Sequence, residues 1–230
     1  MNPRRQLFEI PQPGIFHAAH LAEVVDLDDP ETRSRVQVRL LNFDDVADHD
    51  APVWARVALP FAGDNHGTFF IPDVGDEVLV TFVNGDPRFP IVIGRLWNGS
   101  ASPPDSISGG RNVRKVIRSK NGVKVTLEDE DGQEKFIAET PGGQKVTLKD
   151  GPDSIAIEDS NGNSIKLETA GITITASAKV TINAGQVAVS AGMVTVDAGM
   201  SRFSGVVQCD TMISNTVVSA TYTPGAGNIW

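Results

Sequence analysis

The sequence is short of several things, and each shortage excludes something. It has one cysteine, Cys209, in 230 residues, which rules out an intrachain disulfide framework and cannot build a thiolate metal site alone. Its four histidines all lie at or before His66, so a Ser/His/Asp arrangement finds no support, and no G-x-S-x-G elbow is present. No run approaches the roughly 18 apolar residues of a membrane-spanning helix. The N-terminus, MNPRRQLFEIPQPG, has two arginines without an apolar stretch behind them, so no signal peptide is expected and synthesis in the cytoplasm is. The sequon Asn98-Gly99-Ser100 then carries little meaning. The formal charge is -9 and no basic stripe follows a helical spacing, which excludes nucleic acid as a partner. Aromatic residues are absent between Ile137 and Arg202, a stretch that therefore lacks the material of an ordinary core.

What is present is a folded composition, 40% hydrophobic and 21% charged. From Leu21 to Leu96 short runs alternate apolar and polar residues, with turn residues between them. In SRVQVRLL (34–41), Val36, Val38 and Leu40 alternate with Arg35, Gln37 and Arg39; VWARVALP (53–60) repeats the pattern with Val53, Ala55 and Val57. Two apolar runs, Val78 to Val83 and Ile91 to Leu96, flank Asn84-Gly85, a dipeptide that accepts positive φ and favours a hairpin. Five or six strands and no convincing amphipathic helix predict a small barrel of the OB type.

Asn98 to Gly110, NGSASPPDSISGG, has no periodicity and reads as a boundary. Beyond it SKNGVKVTLED (119–129), TPGGQKVTLKD (140–150) and SNGNSIKLE (160–168) share a Gly-containing turn, an alternating strand and an acidic end, about twenty residues apart. After Gly171 the unit shortens to seven residues: ITITASA, KVTINAG, QVAVSAG, MVTVDAG. A seven-residue period suggests a coiled coil, but β-branched residues and repeated glycine oppose a helix. Each heptad reads instead as a short strand with a glycine corner, Val187 and Val189, then Val194 and Val196, pointing to one side. One chain cannot close an interior with such staves, and bare edges invite pairing with other chains. The fold class expected is all-β: an OB barrel followed by an intertwined triple-stranded β-helix, obligatorily a homotrimer, whose narrow axis has no room for rings. The expected divisions are an N-terminal extension (1–14), the barrel (15–98), a linker (99–118), the β-helix (119–220) and an apex (221–230).

The string PFAGDNHGTFFIPDVGDEVLVTFVNGDPRFPIVIGRLWN (60–98) resembles the OB-fold domain of phage baseplate assembly protein V and of the related VgrG spikes of type VI secretion. IRSKNGVKVTLED, ETPGGQKVTLKD and SNGNSIKLETAGITITA resemble the start of the β-helix in the same family, so the resemblance runs from about Gly14 to Trp230. It implies a structural central spike, with no enzymatic activity and no cofactor, built into an assembled particle: a virion baseplate, a tailocin or an extracellular contractile injection system. The spike would sit below a baseplate hub protein that meets the barrel end, and would make transient contact with the target membrane as it is driven through the envelope. The chain lacks the hub domains that precede the barrel in full VgrG proteins, which favours a stand-alone spike. It also lacks the late His-x-His with which some spikes hold an apical metal.

Other chemistry is weakly indicated. His17-Ala-Ala-His20 has no third ligand at a useful spacing, and DDVADHD (44–50) lacks the glycine-centred spacing of a calcium loop; no metal site is expected. The basic cluster Arg111, Arg114, Lys115, Arg118, Lys120 and Lys124 reads as a solvated or interchain-paired segment. Asp129 and Glu130 are adjacent and look like turn charges. At the C-terminus, TYTPGAGNIW, Gly225 and Gly227 permit bends while Ile229 and Trp230 supply apolar bulk. Pro224, Gly225, Gly227, Asn228, Ile229 and Trp230 either plug the trimer's own end or form a platform for a separate PAAR-type tip protein or effector. A trimeric tail fibre or carbohydrate-binding needle is the alternative function, and it would want exposed aromatics along the rod.

Overall fold

The computed structural model describes residues 18–41, 51–151 and 155–221. The N-terminal extension, His17, the acidic run Asp44 to Asp50 and the apex residues Pro224 to Trp230 lie outside them. Among the described residues fourteen strands are formed: β1 (His20–Asp26), β2 (Val36–Leu40), β3 (Val53–Val57), β4 (Ala62–Gly63), β5 (His66–Gly67), β6 (Glu77–Phe82), β7 (Pro90–Leu96), β8 (Arg114–Arg118), β9 (Lys124–Glu128), β10 (Lys135–Glu139), β11 (Lys145–Lys149), β12 (Ile155–Glu158), β13 (Ser164–Glu168) and β14 (Gly171–Thr175). No α-helix occurs among the described residues.

Strands β1, β2, β3, β7 and β6 close a barrel in that order. All contacts are antiparallel except the closing pair β3 and β7, where Arg56 faces Ile91 and Val57 faces Val92 in parallel. The alternation read in the sequence sets the inside: Ala22, Val24, Val36, Val38, Ala55, Val78, Val80, Phe82 and Val92 form one buried cluster. Mostly Val and Ala, it suits a barrel whose interior is just wide enough for side chains. The outer face keeps the charges, and Glu23 and Arg39, directly opposite across β1 and β2, make an ion pair at 2.8 Å. His20 sets its ring edge-on to Phe82 with 5.7 Å between centroids, so the described half of the His-x-x-His pair packs against the barrel core.

Two connections are held by local chemistry. Between β1 and β2, Asp29 is buried and accepts hydrogen bonds from the backbone N–H of Glu31, Arg33 and Arg35 at 3.1, 2.8 and 3.2 Å, while Arg35 Nη2 reaches it at 2.7 Å. The Arg35 guanidinium and these amides hold the Asp29 carboxyl far below the usual carboxylate range. Arg35 also stacks over Trp54 at 5.8 Å. Between β6 and β7 the expected hairpin forms, with Asn84 at φ 53° and Gly85 at φ 72°, but the loop runs on to Phe89. Asp86 N–H donates to the Val83 carbonyl, Phe89 N–H to Asp86, and Val83 N–H to Phe89. Arg88 clasps Asp86 at 2.6 Å and lowers its pKa to about 2. Just past β7, Asn98 is absorbed structurally: its amide donates to Glu77 and its carbonyl accepts from the N–H of Ser100 and Ala101.

Strands β8 to β14 form a separate seven-stranded sheet in which each strand pairs antiparallel with the next. Each twenty-residue repeat is therefore a hairpin of two strands, not the one strand read from its turn and tail. The first strand, β8, falls inside the stretch expected as linker. Four of the six basic residues there pair within the chain through partly exposed side chains, Arg111 with Glu130 (3.1 Å), Arg114 with Asp105 (2.9 Å), Lys115 with Asp129 and Lys124 with Glu139 (3.2 Å). Asp129 and Glu130 follow β9 and serve as turn charges, as read. The chain divides into two compact units, one ending at Lys179 and one beginning at Val180. No described residue from 176 to 221 belongs to a strand.

Candidate functional site

Residues directly opposite in an antiparallel pair share a face of the sheet, so the register of β8 to β14 assigns every side chain a side. One face carries two ladders. The first runs Lys115, Leu127, Phe136, Leu148, Ile155, Leu167, Ile172; the second runs Ile117, Val125, Ala138, Val146, Ile157, Ile165, Ile174. With one exception, Lys115 at the outermost strand, all are apolar. Lys115 turns its ammonium to Asp129 and to the Asn112 carbonyl.

The opposite face carries charge. Its outer rows include Arg114, Glu128, Lys135 and Lys149 on one side and Arg118, Lys124, Glu139, Lys145 and Glu158 on the other. Three ion pairs join neighbouring strands on this face, Lys135 with Glu128 at 3.3 Å, Lys124 with Glu139 at 3.2 Å, and Lys166 with Glu158 at 3.6 Å. Thr126, in the middle row between Val116 and Ile137, is buried. Such a face is at home in water.

The apolar face is not. Ile117, Leu127, Phe136, Leu148, Ile157, Ile165, Ile172 and Ile174 all remain exposed in the single chain, the last two at 69% and 63%. A contiguous apolar face of this kind marks an interaction surface. Each Ile or Leu taken out of water contributes about 1.5–3 kcal/mol, so the sheet stands to gain much by covering it. The staves of the second unit show the same property: Val180, Ile182, Val187, Val189, Val194 and Val196 are exposed in the isolated chain. Period-two alternation in each strand carried this signal in the sequence, but the face could be assembled only from the registers.

On the barrel several aromatic rings are exposed as well. Phe61, Phe69, Phe70, Phe89 and Trp97 are exposed, the first near the two-stranded ribbon of β4 and β5. An open groove beside Trp97 has a mixed lining, with Pro103, Pro104 and Ile107 beside Asp105, Arg111 and Arg114. No grouping of three or more potential metal ligands occurs among the described residues, and no described helix is long and apolar enough to cross a membrane.

Two family models match the chain, and their bounds follow the architecture. The type VI secretion system/phage-baseplate injector OB domain matches residues 20–97, which is the barrel. The phage baseplate V C-terminal trimerisation domain matches residues 135–200, from β10 into the staves. Curated relatives include the type VI secretion system spike protein VgrG1c of Pseudomonas aeruginosa, 30% identical over 112 residues (46% of this chain, 15% of the relative). VgrG4b of the same organism is 37% identical over 95 residues (39% and 12%). VgrG3 of Vibrio cholerae is 34% identical over 89 residues (36% and 9%). The chain thus spans a small part of the length of these spike proteins.

Proposed function

We propose that the chain belongs to the phage-baseplate V family, whose barrel and trimerisation models each match a part of it, and that three copies of it form the central spike of a contractile injection machine. The observation that carries the reading is the two-sided sheet. Its apolar ladders have a solvent-hating face on every strand, and three such faces turned toward one axis bury one another, leaving the charged faces outside. The seven-residue staves wind for their part as an intertwined triple-stranded β-helix, in which each backbone group finds its partner on a neighbouring chain. The proposed divisions remain a barrel at 15–98, a β-helix through 220 and an apex from 221.

The job assigned is mechanical. A thin rod with backbone hydrogen bonds between interlocked chains resists bending, and the barrels, with exposed Phe69, Phe70 and Trp97, form a collar that receives thrust from a hub protein. No catalytic group or cofactor is assigned. Stored in an assembled particle, the rod acts when contraction drives it through the target envelope. Pro224, Gly225, Gly227, Asn228, Ile229 and Trp230 are proposed as the platform for a separate tip protein or effector.

Mass in solution tests the core of this. A trimer at micromolar concentration is expected, and a monomer there would sink the reading. Pull-down of a PAAR-type tip tests the platform separately: Trp230→Ala should lose the tip while the mass stays trimeric, and full retention of the tip in an intact trimer counts against those residues.

A further inference from the structure

The apolar face of the sheet is uneven in one place. Along the two ladders of β8 to β14 every position but Lys115 is Leu, Ile or Val, except on β10, which departs from that size in both directions. Phe136 is the single ring on the face, and Ala138, two residues on in the same strand, is its single side chain smaller than valine. Across the strands Phe136 lies between Leu127 and Leu148, while Ala138 lies between Val125 and Val146. The face therefore has one knob and one notch, side by side on one strand. Phe136 remains 38% exposed in the single chain, so the knob is not consumed by the chain's own packing.

Resting on the trimeric reading above, we infer that Phe136 of one copy seats over Ala138 of the next, and that this layer fixes the three copies at a common height. Three sheets turned inward about an axis that crosses their strands meet along their margins. The first ladder of one copy then abuts the second ladder of its neighbour, head to tail around the ring. Two residues of one strand share a height on that axis, so copies that are level bring Phe136 opposite Ala138. Elsewhere Leu, Ile and Val differ too little in volume to prefer one height strongly. A copy displaced along the axis sets Phe136 against a valine or isoleucine and leaves Ala138 without a ring to fill its notch. Overpacking in one place and a void in the other are both destabilising. A narrow axis takes a ring where the facing side chain gives up the volume, and Ala138 gives it up. The occupant assigned to the notch is thus a second copy of this chain. The trimerisation-domain match opens at residue 135, on this same strand.

Two experiments on the full chain test the lock. In a Cys209→Ser background, Phe136→Cys combined with Ala138→Cys is mildly oxidised and run on a non-reducing denaturing gel. A disulfide from position 136 of each copy to position 138 of the next closes the ring as a covalent trimer. Neither single-cysteine variant can pass a covalent dimer, because each chain then holds one thiol. The second experiment exchanges the volumes. Phe136→Ala and Ala138→Phe should each lower the guanidinium concentration at which trimer mass is lost, and the chain carrying both should recover at least about half of the larger loss. A trimeric double-cysteine protein that yields no covalent trimer overturns the lock and leaves the spike reading standing, as does an exchange no better than the worse single change. If the double-cysteine chain does not assemble, the exchange decides alone. A monomeric or dimeric mass for the unsubstituted chain instead removes the reading on which the lock depends.

Discussion

The barrel and the sheet that follows it use the same grammar of short alternating strands, yet they finish differently. In the barrel, Val24, Val36, Val38, Val78 and Val80 are fully buried because β3 and β7 join edge to edge and the chain closes on itself. In the sheet, Ile157, Ile165 and Ile174 hold equivalent alternating positions and stay exposed, because a meander whose strands pair only with their neighbours never bends back to cover its own face. Alternation says which side of a strand is meant to be dry. It does not say whether the same molecule or another copy keeps it dry.

The contrast can be broken most sharply at the sheet. Ile157→Asp places a carboxylate in the proposed trimer axis once per protomer, at a cost on the order of 3–5 kcal/mol each if left unpaired. Light scattering should show loss of the trimer, while the barrel's near-ultraviolet signal from Trp54 and Trp97 persists. Val80→Ala reverses the test: it should lower the barrel's unfolding free energy by about 2 kcal/mol, read by denaturant titration, with no change in mass.

Acid probes a smaller effect. The Asp29 carboxyl has a depressed pKa in the folded barrel, so its contribution is present above the unfolded carboxylate pKa of about 3.9 and fades as pH falls below that toward the folded value. Asp29→Asn should lower the barrel's melting temperature at neutral pH and flatten its dependence between about pH 4 and pH 2; an unchanged acid slope would remove Asp29 from the account. The least effect is expected on the charged face of the sheet. Lys124→Ala breaks a half-exposed pair with Glu139 and should change stability by about 0.5 kcal/mol or less, with trimer mass unaffected.

The barrel is legible from sequence because its strands alternate cleanly and are bounded by turn residues; alternation alone puts Val36 and Val38 on one side of β2 and Ala55 on one side of β3. The sheet was half legible. KVTLE, KVTLK and SIKLE stood out by their shared turns, but KFIAE and IAIE have no repeated partner, and RKVIR is masked by its own charges, so the hairpin nature of each repeat was missed. The apolar ladders needed register, which pairs Phe136 with Leu127 and Leu148 across strands far apart in sequence. The staves were legible only as a period. Their exposed valines become intelligible when more than one chain is considered, since no local pattern states how many copies meet.

The meander has a kinetic side as well. Every strand from β9 to β14 pairs with the one made just before it, so the sheet can zip up along a single nascent chain with short loop closures and without waiting for a second copy. Joining three copies is then a later, collisional step whose rate rises with concentration. Between the two, each newly made chain presents a finished oily face to a crowded solution. For this protein the hazardous interval is the time spent searching for partners, and it shortens as synthesis of identical chains is bunched together.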